Sequence, residues 1–124
     1  MNENYLQQLK RGTLEMIFLA LISEKPMYGG EIMNILNNEG APYFSGAKEG
    51  SVYPVFYRLE DAGLIVSVPN GNQKKDFYIT DEGLKKLDEM KEYWLEFTKT
   101  VDYFLNRTEE VKNNEWLWKV FKKS

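Results

Sequence analysis

Along residues 1–80 the apolar positions recur every three or four residues in separate stretches, with polar or glycine-containing segments between them. This period is typical of helices that bury one face. The pattern predicts a short helix or arm over residues 5–10 and, after Thr13 as N-cap, a buried helix. A further helix is predicted over residues 28–38. The buried helix carries Leu14, Ile17, Phe18, Leu21 and Ile22.

The segment GSVYPVFYRLEDAGLI, residues 50–65, is predicted to begin with an amphipathic helix that ends near Ala62-Gly63. Its apolar face consists of Val52, Val55, Phe56 and Leu59. Large groups on its other side are expected to point away from the core: Tyr53, Pro54, Tyr57 and Arg58. The sequence alone leaves open whether this outer side is plain surface or contacts a partner.

Two short β-rich runs follow, over residues 64–68 and 77–80, and the turn signal Asn70-Gly71 lies between them. They predict a small protruding hairpin. Three helices followed by a hairpin are the layout of a winged helix-turn-helix domain. The expected fold is therefore mainly α with a small β-hairpin, and residues 1–80 are expected to form the winged domain with an N-terminal arm.

From Asp81 onward the pattern predicts one long helix with Thr80 as N-cap. Its apolar residues are spaced alternately by three and four positions, which is a heptad seam: Leu87, Met90, Trp94, Phe97, Val101 and Phe104. Such a seam requires a partner, most simply a second copy of the chain. Residues 81–124 are therefore expected to form a C-terminal dimerisation helix followed by an aromatic tail, which contains Trp116 and Trp118.

Composition narrows the range of functions. The chain of 124 residues contains neither cysteine nor histidine, which removes disulfides, the usual zinc and haem ligands and the commonest catalytic base. We therefore expect no enzyme and no cofactor. The pattern of apolar and charged residues predicts neither a signal peptide nor a membrane span, which favours the cytoplasm as the compartment of the protein. The net charge of -3 gives no global attraction to nucleic acid, so any such binding must come from a local patch.

Four ordered motifs resemble the PadR-like family of transcriptional regulators. The run EGSVYPVFYRLEDAGLI, residues 49–65, is similar to the recognition-helix signature of that family. The others are GTLE at residues 12–15, PMYG at 26–29 and KKDFYITDEG at 74–83. The resemblance implies a dimeric winged helix-turn-helix regulator, most simply a repressor, that binds a pseudo-palindromic site on double-stranded DNA.

The resemblance also implies which residues contact DNA. On the recognition helix they are Lys48, Ser51 as N-cap, Tyr53, Pro54, Tyr57 and Arg58, and on the wing Asn72, Lys74 and Lys75. A structural alternative stays open for two of them. Tyr53 could instead pack against the preceding helix, and Arg58 could pair with Asp61 or Glu31.

Multidrug-sensing members of the family imply a role for Trp94, which would face its symmetry mate and stack on a flat, hydrophobic aromatic ligand. Met90 and Phe97 would line the same cavity. The alternative is that Trp94 is plain core of the dimer. A different class of function also stays open, a winged-helix protein-interaction module without DNA binding, which the acidic balance and Asp76 and Tyr78 on the wing favour.

Overall fold

The computed structural model describes residues 3–113, with side chains for residues 5–107. In this part of the chain five helices and two strands follow one another as α1 (Glu3–Arg11), α2 (Leu14–Glu24), α3 (Gly29–Asn38), α4 (Glu49–Asp61), β1 (Ile65–Pro69), β2 (Lys75–Ile79) and α5 (Asp81–Asn113). The predicted fold class is confirmed. The aromatic tail with Trp116 and Trp118 lies outside the described residues.

Phe56 of α4 lies at the centre of the core and has no exposed surface. Its ring stacks on Phe77 of β2 with centroids 3.9 Å apart, and it meets the ring of Phe18 of α2 at 5.2 Å. The predicted apolar face of α4 is confirmed. The core of the described part comprises Phe18, Leu19, Ile22, Met27, Ile32, Leu36, Val52, Val55, Phe56, Leu59, Ile65, Phe77 and Leu87.

The two predicted threonine caps have different outcomes. The Thr80 hydroxyl accepts a hydrogen bond from the Gly83 N–H at 3.0 Å, so this N-cap of α5 is confirmed. Thr13 occupies the N-cap position of α2 but its side chain makes no capping bond. Its hydroxyl donates instead to the Lys10 carbonyl at 3.0 Å. The backbone of Thr13 is in the helical region, with φ -112° and ψ -19°, and lacks the extended conformation in which an N-cap side chain reaches the helix.

The hairpin is antiparallel, with Ile65 opposite Ile79 and Pro69 opposite Lys75. Its loop, residues 70–74, is wider than the tight turn that Asn-Gly favours, and the Asn70 N–H donates to the Lys74 carbonyl at 3.0 Å. Met27, just before α3, pairs with Phe77 through two backbone hydrogen bonds of 3.2 and 2.8 Å. The wing is thereby joined to the start of α3.

The chain divides into two compact units, one ending at Glu89 and one beginning at Met90, so that α5 contributes to both. In the second unit the seam residues Trp94, Phe97 and Val101 are exposed. None of the described helices is both long and apolar enough to cross a bilayer.

Candidate nucleic-acid interface

The start of α4 differs from the prediction. The N-cap is Lys48, and Ser51 is the third residue inside the helix, so the assignment of Ser51 as N-cap is wrong. A lysine side chain has no acceptor and cannot cap. The Ser51 hydroxyl instead accepts from the Lys48 N–H at 3.2 Å and donates to the Lys48 carbonyl at 3.0 Å. Both Lys48 and Ser51 are exposed.

Pro54 lies inside α4, and its ring is exposed. Because the helix begins at Glu49, Pro54 is beyond the first four residues, whose N–H groups have no helical partner. The carbonyl of Gly50, four residues earlier, therefore has no intrahelical donor. Pro54 therefore costs α4 one hydrogen bond, because the helix begins earlier than an N-cap at Ser51 would place it.

The two tyrosines of α4 have different environments. Tyr57 is 57% exposed, as predicted, whereas Tyr53 is half-buried and its ring contacts those of Phe56 at 5.7 Å and Tyr57 at 6.1 Å. The Tyr53 hydroxyl lies against Gly29, since a Cβ on Gly29 would approach it to 2.8 Å. Tyr53 therefore packs on the start of α3, and the expectation that it points fully outward is wrong.

Arg58 is exposed and pairs with neither Asp61 nor Glu31. Its Nε donates to Oε1 of Glu15 on α2 at 2.9 Å, while Glu31 pairs with Lys25 at 3.1 Å. The ion pair connects the outer side of α4 to α2. Because Glu15 binds the Nε of Arg58, its negative charge reduces the attraction of the guanidinium group for a phosphate without occupying all of its donors.

On the wing, the Lys74 ammonium group lies 4.7 Å from the centre of the Tyr28 ring, a cation–π contact. Tyr28 is the N-cap residue of α3, and its backbone N–H donates to Glu31 at 3.4 Å. Lys75 is exposed at the start of β2. Asn72 is exposed in the loop, where its N–H donates to the Asn70 side chain at 3.4 Å.

A groove of about 490 Å³ runs between the start of α3, the outer side of α4 and the wing. We call it the wing groove; it is lined by Tyr28, Gly30, Met33, Glu49, Tyr53, Tyr57, Glu60, Ser67, Gln73, Lys74, Lys75 and Phe77. It brings together four of the predicted contact residues, Tyr53, Tyr57, Lys74 and Lys75. Lys48, Ser51, Pro54, Arg58 and Asn72 do not line it, within the part of the chain that the structure describes.

Sequence reasoning did not assign a site role to Tyr28 or Glu60. Tyr28 belongs to a recognised motif, PMYG, and that motif was the available signal. Glu60 has no local signal, because its partner is the Ser67 hydroxyl of β1, which donates to it at 2.7 Å. In the described residues there is no cluster of three acidic side chains that could hold a metal ion.

A family model described as the transcriptional regulator PadR-like family matches residues 18–89, more than half of the chain. The chain belongs to this family. A protein of Lysinibacillus sphaericus, called uncharacterized protein X, is 36% identical over 103 residues, which are 80% of this chain and 94% of that protein.

Solved structures agree with the family assignment. A PadR family transcriptional regulator from Eggerthella lenta is 32% identical with a TM-score of 0.72, over 83% of this chain and 90% of that one. A transcriptional regulator from Clostridium thermocellum is 30% identical with a TM-score of 0.71, over 78% and 94% of the two chains. The chain is thus a PadR-like transcriptional regulator, a class that acts by binding DNA and not by catalysis.

The three predicted ligand-binding residues lie near the start of the second unit. Trp94 is 47% exposed and Phe97 65% exposed, and Met90 is half-buried. Their spacing of three and four positions places them on one side of α5. They are remote in sequence from the wing groove.

The Glu15–Arg58 ion pair generates a prediction about DNA affinity. Glu15→Gln is expected to raise the affinity for a duplex of arbitrary sequence by about 2- to 5-fold, since an exposed pair of this kind holds its arginine with about 0.5–1 kcal/mol. Fluorescence anisotropy of a labelled duplex measures the change. The control is Glu82→Gln, which removes the same charge from an exposed pair with Lys85 on α5. An equal gain in both variants would mean that only net charge matters.

Proposed function

We propose that the chain is a dimeric transcriptional regulator that binds a pseudo-palindromic duplex through α4 and the wing of each copy. The observation that supports this most directly is the wing groove, where Tyr57, Lys74 and Lys75 converge. Phenol hydroxyls donate to phosphate or base edges, and lysines bind phosphate. Occupation of the duplex by such a dimer excludes other proteins from it, which is the simplest route to repression.

The local charge explains how an acidic chain binds DNA. Three carboxylates near the interface have partners of their own, since Glu15 pairs with Arg58, Glu60 accepts from Ser67, and Asp76 accepts from Asn70 at 3.3 Å. Glu49, which lines the wing groove, makes no side-chain ion pair in the part of the chain that the structure describes. Lys75 carries no ion pair within the described residues, and Lys74 contacts only the neutral ring of Tyr28. These two lysines are therefore available to phosphates despite the net charge of -3.

Selection of bound duplexes from a random pool, at about physiological salt, tests this proposal. We expect an enriched inverted repeat whose half-sites are about one helical turn, roughly 34–36 Å, apart. On that site Tyr57→Phe should weaken binding by about 3- to 10-fold through the loss of one hydrogen bond, and should change binding to arbitrary DNA little.

The matched control for Tyr57→Phe is Tyr43→Phe, which removes a hydroxyl from an equally exposed tyrosine outside the wing groove. An equal loss of DNA affinity in both variants would show that Tyr57 makes no specific contact with DNA. If a folded dimer retained no DNA at all, a winged-helix module that binds protein would replace the regulator.

We infer that α5 forms the dimer from its unburied seam. Trp94, Phe97 and Val101 repeat at heptad spacing and are all exposed in the single chain. Exposure of a row of large apolar side chains to water is unfavourable, and pairing of two such rows removes that apolar surface from water. A second copy of the chain is the partner with the required spacing.

Phe97→Glu is expected to shift the dimer toward monomer, raising the dimer dissociation constant by at least about tenfold, because it would bury a charge in the seam. Sedimentation equilibrium measures the constant. The matched control is Leu95→Glu, which places the same charge on an exposed apolar residue of α5 outside the seam. Equal effects of both substitutions would contradict the seam assignment.

The second part of the proposal concerns release from DNA by a flat, hydrophobic aromatic ligand at Trp94. Supporting this, Trp94 is half exposed and has Met90 and Phe97 beside it on the same side of α5, and methionine and aromatic side chains suit a variable ligand. In a symmetric dimer the two Trp94 side chains would approach each other across the seam.

Titration with planar cationic dyes should quench Trp94 fluorescence and lower DNA affinity in parallel. The experiment uses a chain in which Trp116 and Trp118 are replaced by phenylalanine, so that the signal comes from Trp94 alone. A dimer whose Trp94 emission no dye changes would leave Trp94 as core.

A further inference from the structure

Asn37, at the end of α3, makes three hydrogen bonds to the loop that leads into α4. Its Oδ1 accepts from the Gly46 N–H at 2.7 Å and from the Ala47 N–H at 3.0 Å. Its Nδ2 donates to the Ala47 carbonyl at 3.0 Å. One half-buried side chain thus binds both backbone polar groups of Ala47, the residue directly before the N-cap Lys48.

The start of α4 lacks the usual side-chain cap. Lys48 has no acceptor to offer, and Ser51 binds only the backbone of Lys48. The path of the backbone from Gly46 to Lys48 is therefore set by two side chains, Asn37 from α3 and Ser51 from α4. Gly46 adopts a φ of 89°, which glycine tolerates best, and so the chain turns sharply where Asn37 binds it.

Asn37 is attached to a fixed part of the fold. The preceding residue, Leu36, is buried, as is Ile32 one turn earlier, so α3 is anchored in the core. The hydrogen bonds from this helix therefore hold the loop, and with it the start of α4, at a fixed position relative to the core. The neighbouring Asn38 has no such role, since its side chain is exposed and donates only to the Asn34 carbonyl of its own helix at 2.8 Å.

We propose that Asn37 is a positioning residue for sequence recognition, which holds the N-terminal turn of α4 at the angle at which its side chains meet base edges. This inference rests on the proposed function. Base contacts require a fixed approach, whereas phosphate contacts tolerate small shifts. The wing cations Lys74 and Lys75 do not depend on the loop that Asn37 binds, so the phosphate contacts of the wing persist without it.

The test compares Asn37→Ala with Asn38→Ala and measures affinity for the selected site and for an unrelated duplex of equal length. In Asn37→Ala the ratio of specific to non-specific affinity should fall by about tenfold or more, as expected for the loss of several hydrogen bonds. In Asn38→Ala the ratio should not change. The slope of affinity against salt should differ little between the two variants, because Lys74 and Lys75 keep their phosphate contacts in both.

Asn37→Asp is the conservative variant. It keeps an acceptor for the Gly46 and Ala47 N–H groups but places a carboxylate oxygen against the Ala47 carbonyl where the donor was, so it should restore only part of the ratio. A purely structural role makes a different prediction. If Asn37→Ala merely lowers the folded fraction, specific and non-specific affinity fall by the same factor, and that result would overturn the proposal.

Amide hydrogen exchange without DNA separates this inference from the proposed function. Asn37→Ala should speed exchange at Gly46 and Ala47 and also in the first turn of α4, while exchange in α2 stays slow. Unchanged exchange in the first turn of α4 would overturn the positioning role even if the protein binds DNA specifically. If the wild-type protein shows no sequence preference, the proposed function fails and recognition by Asn37 fails with it, whatever the exchange shows.

Should Asn37→Ala fail to fold, Asn37→Gln replaces it, since glutamine keeps the amide but displaces it by one methylene. A fall in the ratio with a folded Asn37→Gln supports the proposal, and an unchanged ratio contradicts it.

Discussion

The winged domain depends on one aromatic contact, the stack of Phe56 on Phe77 at 3.9 Å with the rings 6° from parallel. Phe56 comes from α4 and Phe77 from the wing, so the contact joins the two elements that a duplex would meet. Phe18 adds α2 to the same cluster. Burial of these rings stabilises the folded domain, and because packed rings interdigitate closely they also fix the distances between the elements that carry them. The packing of the core therefore sets the distance between α4 and the wing.

Polar contacts fix the positions of the loops, which packing of the core does not determine. Hydrophobic burial places α3 and α4 against each other but specifies poorly where an irregular loop begins and ends. Here side chains from the helices bind loop backbone: Asn37 holds the residues before α4, and Thr80 joins the start of α5 to the carbonyl of Gly63 at 2.7 Å. The backbone pair of Met27 and Phe77 does the same for the wing. These bonds join separate segments of the chain and position the residues of the candidate interface.

The second unit differs from the first in that its large apolar side chains are exposed. Beyond Glu89 the helix α5 presents large apolar side chains that its own chain leaves exposed, among them Trp94 and Phe97. Among the described residues, the first unit therefore has a packed core, whereas the second leaves large apolar side chains exposed. In the proposed dimer a second copy would cover these side chains, and a ligand that bound among them would leave the core of the first unit unchanged.

The sequence by itself determined the elements. Periods of 3.6 and 2 residues, a threonine cap at Thr80 and a glycine after α4 are local signals, and they specified the winged layout and the buried face of α4. Only the tertiary structure decided the environment of individual side chains. Tyr53 packs on Gly29, Arg58 pairs with Glu15, and Asn37 binds the loop before α4, a contact that no motif marks. Each of these partners comes from another segment, and hydrophobic periodicity carries no information about which polar groups meet once helices pack.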